Sequence, residues 1–482
     1  MHKRDARSEL RSWILASSLA VPCAANAGVQ GDSEDFDSPN GITEHCVAID
    51  HAPGGDYSAE DVAEERSLCA IDFYSGNFAL CPKTFSTSPG TLIYDVSTGP
   101  YAGKARNFEA DHCRERKIIT AGVVGAPVSY KMTMNAQTTS ATFAPASLLY
   151  YHFSRYFDTV VDVPVSVWRS MDRREHFDRV VRTGLDVSSS GGSPMNRAGW
   201  EILANGAKDP ATYRPTSELY TDDGRQIFGI LLESNGRRYG AEINGTRRSG
   251  WGAGQNRDLQ ETAPFLALRH EGSLSEAIAY GVATASKDPD LRKAMTIEPS
   301  PLQMTFWMTE LSEVALLDFI FSQQDRVGNI DYRDIWYWIA DGKIQRRIAT
   351  SSEPPADIVP NNPVRVRRSI INDNDAGGRI PYANFAKTTG MVENLRHFRG
   401  STYLRLQELA DDFSQSGPLY DWLRTSFGIS ERQVAQVVKN TIAAAGILRD
   451  ACAAGRLRFS LDPLASLRGQ SSANGSYSCD PP

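Results

Sequence analysis

Two short acidic strings in the second half of the chain carry the residue types that phosphoryl transfer requires. The first is Gln324-Asp325-Arg326-Val327-Gly328-Asn329-Ile330-Asp331, and the second is Ile370-Ile371-Asn372-Asp373-Asn374-Asp375-Ala376-Gly377-Gly378. Transfer from a metal-bound nucleotide needs a carboxylate at the acceptor hydroxyl, oxygen ligands for a divalent cation and a positive charge on the phosphates. Asp325 and Asn329 stand four apart on one loop, so both can face one cleft. Asp325 would orient the hydroxyl or take its proton, and Asn329 would offer an amide oxygen to the metal. Asp375 ends a predicted strand at Asp-Ala-Gly-Gly, where glycines let the backbone turn away and leave the carboxylate in the cleft. It is the better metal ligand, with Asp373, two residues back on the same strand face, as the alternative or second one. Asp, Asn and Gly also build ordinary turns, and each string taken alone has that reading. The elements around them argue for more.

Residues 305–323 place Trp307, Met308, Leu311, Val314, Leu317, Ile320 and Phe321 at helical spacing, which predicts a long buried helix delivering the chain to Asp325. Residues 334–340 and 343–348 flank Asp341-Gly342, a hairpin signal. A loop stiffened by Pro354, Pro355, Pro360 and Pro363 then leads to a strand over 364–371. Ser430-Glu431-Arg432-Gln433 is a capping box that opens a C-terminal helix. Upstream, the pattern predicts β-structure over 71–96, a strand over 128–134, a helix over 144–157 and a strand over 161–168. Residues 226–233 and 237–243 flank Ser234-Asn235-Gly236, which reads as a tight hairpin. Residues 28–60, rich in Asp, Ser, Gly and Pro, read as a loosely packed leading segment, and ordered structure is expected from Cys69. Residues 184–216, with a Ser/Gly patch at 188–193, read as an exposed loop or small insertion. A β-rich first half and a helical second half make the chain α+β, with a cleft between two lobes.

The 482 residues suffice for two domains or one large bilobal unit. A net charge of −7 with scattered basic residues argues against a nucleic-acid partner. Lys3, Arg4, Arg7 and Arg11 precede a short apolar run over 13–25 that ends in Ala25-Asn26-Ala27, so an export signal cleaved after Ala27 is expected. The run is too short for a membrane span, and nothing later reaches the roughly 20 apolar residues that one needs. Pro22 argues against lipid attachment at Cys23. Cleavage would leave Cys46, Cys69, Cys81, Cys113, Cys452 and Cys479, an even set suited to disulfides in an oxidising compartment. Sequence distance favours Cys452 with Cys479 and two bridges among the other four. No C-x-x-C pair suggests zinc, and Asp111-His112-Cys113 reads as structural because its thiol is expected to be oxidised. Neither a G-x-S-x-G elbow nor an H-E-x-x-H helix is present.

Leu316-Leu317-Asp318-Phe319 through Asp325-Arg326-Val327-Gly328-Asn329, followed by Asp375-Ala376-Gly377, resembles the atypical kinase superfamily of the secreted Golgi casein kinases, the HipA-type kinases and the phosphoinositide-type kinases. In that superfamily an Asp-Arg loop precedes a short strand pair and a metal-binding Asp-x-Gly. Residues 146–169 are also similar to the Golgi-kinase N-lobe, where a helix runs into a strand with Val-Pro. The resemblance spans residues 125–450 and lies in the order of motifs more than in identity.

It implies an α+β, bilobal atypical protein-kinase-like fold with a β-rich N-lobe, a helical C-lobe and a disulfide-bonded N-terminal extension. The corresponding boundaries are 1–27 for the signal peptide, 28–120 for the extension, 121–290 for an N-lobe with an insertion and 291–482 for the C-lobe with its C-terminal helices. It further implies an exported enzyme that uses ATP with Mg²⁺ or Mn²⁺ to phosphorylate a hydroxyl of a protein or glycan. Asp325 would be the catalytic residue, Asn329 and Asp375 the metal ligands with Asp373 beside them, and a lysine from an N-lobe strand would hold the phosphates. Lys131, in Ser129-Tyr130-Lys131-Met132, stands on such a strand, with Lys117 as the next candidate. Lys131, Asn329 and Asp375 are therefore the expected nucleotide contacts.

The departures are specific. Asp325 and Asn329 are one residue closer than in the phosphoinositide kinases. The helix over 144–157 has no glutamate to pair the phosphate lysine, which leaves Glu109 as a substitute, and only residues 86–91 stand in for a G-x-G-x-x-G loop. A catalytically inactive kinase-like binding protein, or a metal-dependent hydrolase using the same carboxylates, stays open. Trp336-Tyr337-Trp338 offers rings for a sugar or base but reads as packing, and Arg365, Arg367 and Arg368 fit an anionic groove or a solvated strand face equally.

Overall fold

The computed structural model describes residues 28–136, 138–233, 236–287, 289, 292, 299–469 and 477–479. The leader expected over 1–27, its cleavage site and Cys23 lie outside the described residues, as do Ser234 and Asn235 of the expected hairpin. Among the described residues no helix is long and apolar enough to cross a membrane.

The expected α+β class holds. A seven-stranded antiparallel sheet is built from β1 (Gly31–Asp37), β2 (Thr43–Ile49), β3 (Phe78–Pro82), β4 (Thr91–Asp95), β5 (Val124–Met132), β6 (Ser166–Asp172) and β7 (Gln226–Glu233), in the order β1-β2-β6-β7-β5-β4-β3. A second sheet holds β8 (Arg237–Arg238), β9 (Ile330–Ala340), β10 (Lys343–Ile348) and β11 (Val364–Ile371), with β9 between β10 and β11 and β8 pairing on β9. Helices α1 (Ala59–Cys69), α2 (Ala105–His112), α3 (Pro145–Phe157), α4 (Pro194–Lys208) and α5 (Ala253–Gln260) precede the long helix of the second half. The rest is dominated by α6 (Pro301–Phe321), α7 (Gly400–Gln415) and α8 (Glu431–Ala453).

Helix α6 is buried from Gln303 through Phe321, so it lacks a polar face and acts as the axis of the helical part. Several of its polar side chains bond to protein partners. Thr309 Oγ donates to the carbonyl of Thr305 at 2.8 Å, and Glu313 accepts from the backbone N–H groups of Val160 and Val161 at 2.7 and 2.8 Å. Glu310 accepts from the Ser369 N–H at 3.1 Å, fastening α6 to β11. Ser430 caps α8 through the expected box with Gln433.

The register of β9 with β11 locates the chemistry. Ile330, the first residue of β9, faces Ile371, the last of β11, so the loop before β9 and the loop after β11 emerge side by side. These are the two acidic strings. The β9–β10 turn uses Asp341 and Gly342 with φ of 51° and 69°, as the Asp-Gly pair predicts.

Three expectations are corrected. Residues 28–60 are not loosely packed: β1 and β2 extend the large sheet, and Cys46 of β2 is bonded to Cys69 at the end of α1. β1 escaped recognition because it is an acidic edge strand with no buried face to impose alternation. Residues 184–216 hold helices rather than an exposed loop: the Ser/Gly patch fills only the break between the helix Arg182–Ser189 and α4, which buries Trp200, Leu203 and Ala204. The expected hairpin around Gly236 is a crossover. β7 pairs with β5 and β6 in the first sheet, whereas Arg237 and Arg238 pair with Tyr332 and Asp331 in the second. Asn-Gly marks a change of direction, and local sequence does not say which sheet receives the next strand.

The other bridges are Cys81–Cys113 and Cys452–Cys479. Cys46–Cys69 closes a separation of 23 residues between a sheet strand and a helix. Replacing both cysteines by alanine should lower the unfolding free energy by roughly 3 kcal/mol, read as a lower urea midpoint.

Candidate active site

Where α6 ends, Ser322 takes a left-handed conformation (φ 52°) and turns the chain into the first loop. Its hydroxyl is held by Gln436 and Asn440 of α8 at 2.9 and 3.1 Å. Arg326, one residue after Asp325, points inward rather than to the cleft. Its guanidinium pairs with Asp318 of α6 at 2.9 Å and donates to the carbonyl of Asn372 at 2.8 Å and to Asn374 Oδ1 at 2.9 Å, while the Tyr150 hydroxyl of α3 donates to Asp318 at 2.8 Å. Both charged side chains are about 1% exposed. Backbone bonds complete the join between the loops: Gln324 N–H to Ala376 O at 3.1 Å, Asn372 N–H to Asn329 O at 3.1 Å and Gly378 N–H to Phe321 O at 2.5 Å.

The second loop presents its carboxylates by a turn, not by strand alternation. β11 stops at Ile371, Asp373 is left-handed (φ 48°), and Asn374–Ala376 is a single 3₁₀ turn. Asp373 and Asp375 nevertheless meet at one atom. Lys131 of β5 donates from Nζ to Asp373 Oδ1 at 2.7 Å and to Asp375 Oδ1 at 3.2 Å. Burial works against the Lys131 charge, but the two carboxylates outweigh it and hold its pKa above the ordinary lysine value. Lys131 in turn, and Lys83 after it, keeps the Asp373 carboxyl well below the usual range. Gly378 is required on two counts. Its φ is +75°, and a Cβ there would lie 2.9 Å from the Cβ of Ala146 in α3.

Asp325 is half-buried. Its carboxylate accepts from Gln255 Nε2 of α5 at 3.4 Å, and Gln255 accepts from Arg247 Nε at 3.3 Å. Burial raises the Asp325 pKa, opposed by the Gln255 hydrogen bond and the Arg247 charge. Asn329 donates to the carbonyl of Asp325 at 2.6 Å, and its amide oxygen accepts from Arg238 at 2.8 Å. The oxygen expected to face a metal is thus engaged by an arginine just past the crossover. By contrast, Asn372 Oδ1 is buried with no partner, although its amide nitrogen donates to Asp331 at 2.6 Å.

No group of three or more His, Cys, Asp or Glu side chains that could hold a metal occurs among the described residues. Two carboxylates and an orphaned amide oxygen still fit a hard divalent cation that keeps waters and takes phosphate oxygens as its other ligands. Space is present on both sides of Lys131. One cleft is lined by Lys83, Ser88, Gly90, Thr91, Ser129 and Asp375, and a second by Ser147, Pro164, Ser166, Leu232, Asn372 and Asp373.

The remaining candidates stand elsewhere. Lys117 is exposed and pairs with Glu115, and Glu109 pairs with Arg179 while accepting from the Leu80 N–H, so neither reaches Lys131. Trp336 is buried, Arg368 pairs with Glu310 of α6, and Arg367 lies over the ring of Tyr332 and pairs with Asp334. The residues overlooked in the sequence are Lys83, Asn372, Gln255 and Arg238. Only Lys83 carried a signal there, as a lysine opening a Ser/Pro/Gly turn between two strands.

No family model matches the chain, and no curated protein matches it. Among solved structures the chain is similar to hydra Fam20 with sugar, at 11% identity over 85% of this chain and 95% of that one, with a TM-score of 0.42. It is also similar to the Golgi casein kinase with Mn/ADP bound, at 9% identity over 82% and 77% of the two chains and a TM-score of 0.39. A second Golgi casein kinase structure matches at 9% identity over 85% and 79%, with a TM-score of 0.39.

Breaking the buried join is expected to be costly. Arg326→Met leaves Asp318 charged and buried without its cation, and should remove roughly 3–5 kcal/mol of stability by urea denaturation. Asp318→Leu with Arg326→Met should recover part of that loss, because no lone charge is left inside.

Proposed function

We propose that the protein is an exported phosphotransferase that moves the γ-phosphoryl group of ATP to a hydroxyl of a protein or glycan. The observation that carries the assignment is the meeting of Lys131 with Asp373 and Asp375 on a loop stitched to the one bearing Asp325. A strand lysine, two clustered carboxylates and a third carboxylate on the neighbouring loop are the parts that phosphoryl transfer uses. The three disulfides support export into an oxidising compartment.

In this assignment the phosphates lie along Lys131, and the base rests on the apolar surface of Leu232 and Pro164, beside the crossover between the sheets. Asp375 and Asp373 would hold a Mg²⁺ or Mn²⁺ ion, with the amide oxygens of Asn372 and Asn329 as further ligands, and the ion would neutralise phosphate charge. Asp325 orients the acceptor hydroxyl through its carboxylate, itself steadied by Gln255. As the acceptor oxygen bonds to the γ-phosphorus, the bond from that phosphorus to the β–γ bridging oxygen breaks. ADP leaves with the electron pair, and the hydroxyl proton passes to Asp325.

A second reading has its own support. Asn329 Oδ1 is occupied by Arg238, and Lys131 has no glutamate partner from α3, which would suit a protein that binds nucleotide without turnover. Thermal unfolding with ATP and Mn²⁺ or Mg²⁺ tests the shared part: the wild type should be stabilised and Asp375→Ala should not. No stabilisation by any nucleotide and metal pair would sink both readings. If nucleotide binds, Asp325→Asn should keep the thermal shift while phosphoryl transfer in an acceptor screen falls by a factor of roughly 10² or more. Binding without any transfer by the wild type leaves the inactive binding protein.

A further inference from the structure

Lys131 satisfies both carboxylates of the second loop, yet a second lysine stands in the same cleft. Lys83 opens the loop between β3 and β4, is half-buried, and lines the space shared with Lys131 and Asp375. Among the described residues its ammonium has no hydrogen-bond or ion-pair partner. Burial presses its pKa down and the neighbouring Lys131 adds to that, while the charges of Asp373 and Asp375 only partly oppose them. An ammonium held in a closed place beside another ammonium is costly unless an anion completes it.

The loop that carries it is rigid. The Lys83 N–H donates to the carbonyl of Gly90 at 2.8 Å, closing the turn, and the Ser86 hydroxyl donates to Ser88 O at 2.6 Å. From behind, Asn196 of α4 donates to the carbonyls of Ser88 and Lys83 at 3.1 and 3.3 Å, and Asn196 is oriented by Trp200 Nε1 at 2.9 Å. Gly199 lets α4 come this close, since a Cβ there would lie 2.6 Å from Pro89 Cδ. A phosphate-covering loop built of glycines relies on backbone N–H groups. Here the loop is fixed by a helix and contributes a charge.

We infer that Lys83 is a second phosphate-binding cation of the cleft, facing Lys131 across a polyphosphate chain and held in place by Asn196 of α4. The site therefore recognises the phosphate chain of its ligand by two point charges, one on the sheet and one on the loop. This rests on reading the cleft as a nucleotide site.

Calorimetric titration with sodium tripolyphosphate and, separately, with ATP and adenosine, all in Mg²⁺, tests it. Lys83→Met should weaken tripolyphosphate and ATP by about tenfold or more, as expected for loss of a charge-assisted hydrogen bond, and change adenosine by less than about twofold. Lys83→Arg should keep most of the affinity, and Asn196→Ala should shift the same two ligands in the same direction. Equal binding of tripolyphosphate by wild type and Lys83→Met overturns the inference, as does a wild type that does not bind tripolyphosphate at all. Lys83-dependent tripolyphosphate binding without phosphoryl transfer from ATP would keep this clamp and remove the kinase assignment. Transfer that is unaffected by Lys83→Met would do the reverse.

Discussion

The ion pair between Asp318 and Arg326 is the interaction on which the geometry of the cleft depends. It joins the last turns of α6 to the first loop, and through further hydrogen bonds it takes hold of Asn372 and Asn374 in the second loop and Tyr150 in α3. Two charges in an apolar interior are expensive, and they are tolerated here because almost every donor and acceptor finds a partner. Asp325 and Asp375 are consequently placed by a neighbour's side chain and by backbone bonds, with their own carboxylates left out of the scaffold. The structural arginine and the candidate base are adjacent in sequence and opposite in role.

That division between saturated scaffold and unsaturated cleft runs through the site. Arg326 and Asp318 are fully engaged, whereas Lys83 has no hydrogen-bonding partner among the described residues, Asn372 Oδ1 has none, and Asp325 has one long contact from Gln255. Folding alone gives no reason to keep such groups together in an enclosed place. The proposed binding of a polyanion and a cation would supply one.

What the amino-acid sequence disclosed follows from the range of the interactions involved. α6 was legible because its large apolar residues recur at helical spacing, and the β9–β10 hairpin because Asp-Gly is suited to its turn. Lys131, Asp373 and Asp375 were singled out in the sequence and stand together in the structure, by a different geometry from the one expected. Strand alternation was expected, and a left-handed residue with a 3₁₀ turn achieves the same convergence. The polar edge strand β1, the helix α4 behind a Ser/Gly patch and the crossover at Gly236 were not legible, since each is decided by partners distant in sequence. Lys83 and Gln255 belong with them. Their importance lies in facing residues hundreds of positions away or on another element, and the one local cue, the Ser/Pro/Gly turn that Lys83 opens, does not say what the lysine faces.

The bridge from Lys131 to Asp373 and Asp375 spans the two sheets and has a thermodynamic consequence. The ammonium has two anions, and those anions share one cation. In the proposed nucleotide site, a phosphate on Lys131 would compete with the aspartates and release them for a metal ion, and a metal on the aspartates would release Lys131 for phosphate. Each ligand removes the competitor of the other, so their affinities are linked and the linkage is equal in both directions. Under the proposed function, a single intramolecular salt bridge would make the cleft an exchange site whose two occupants arrive as a pair.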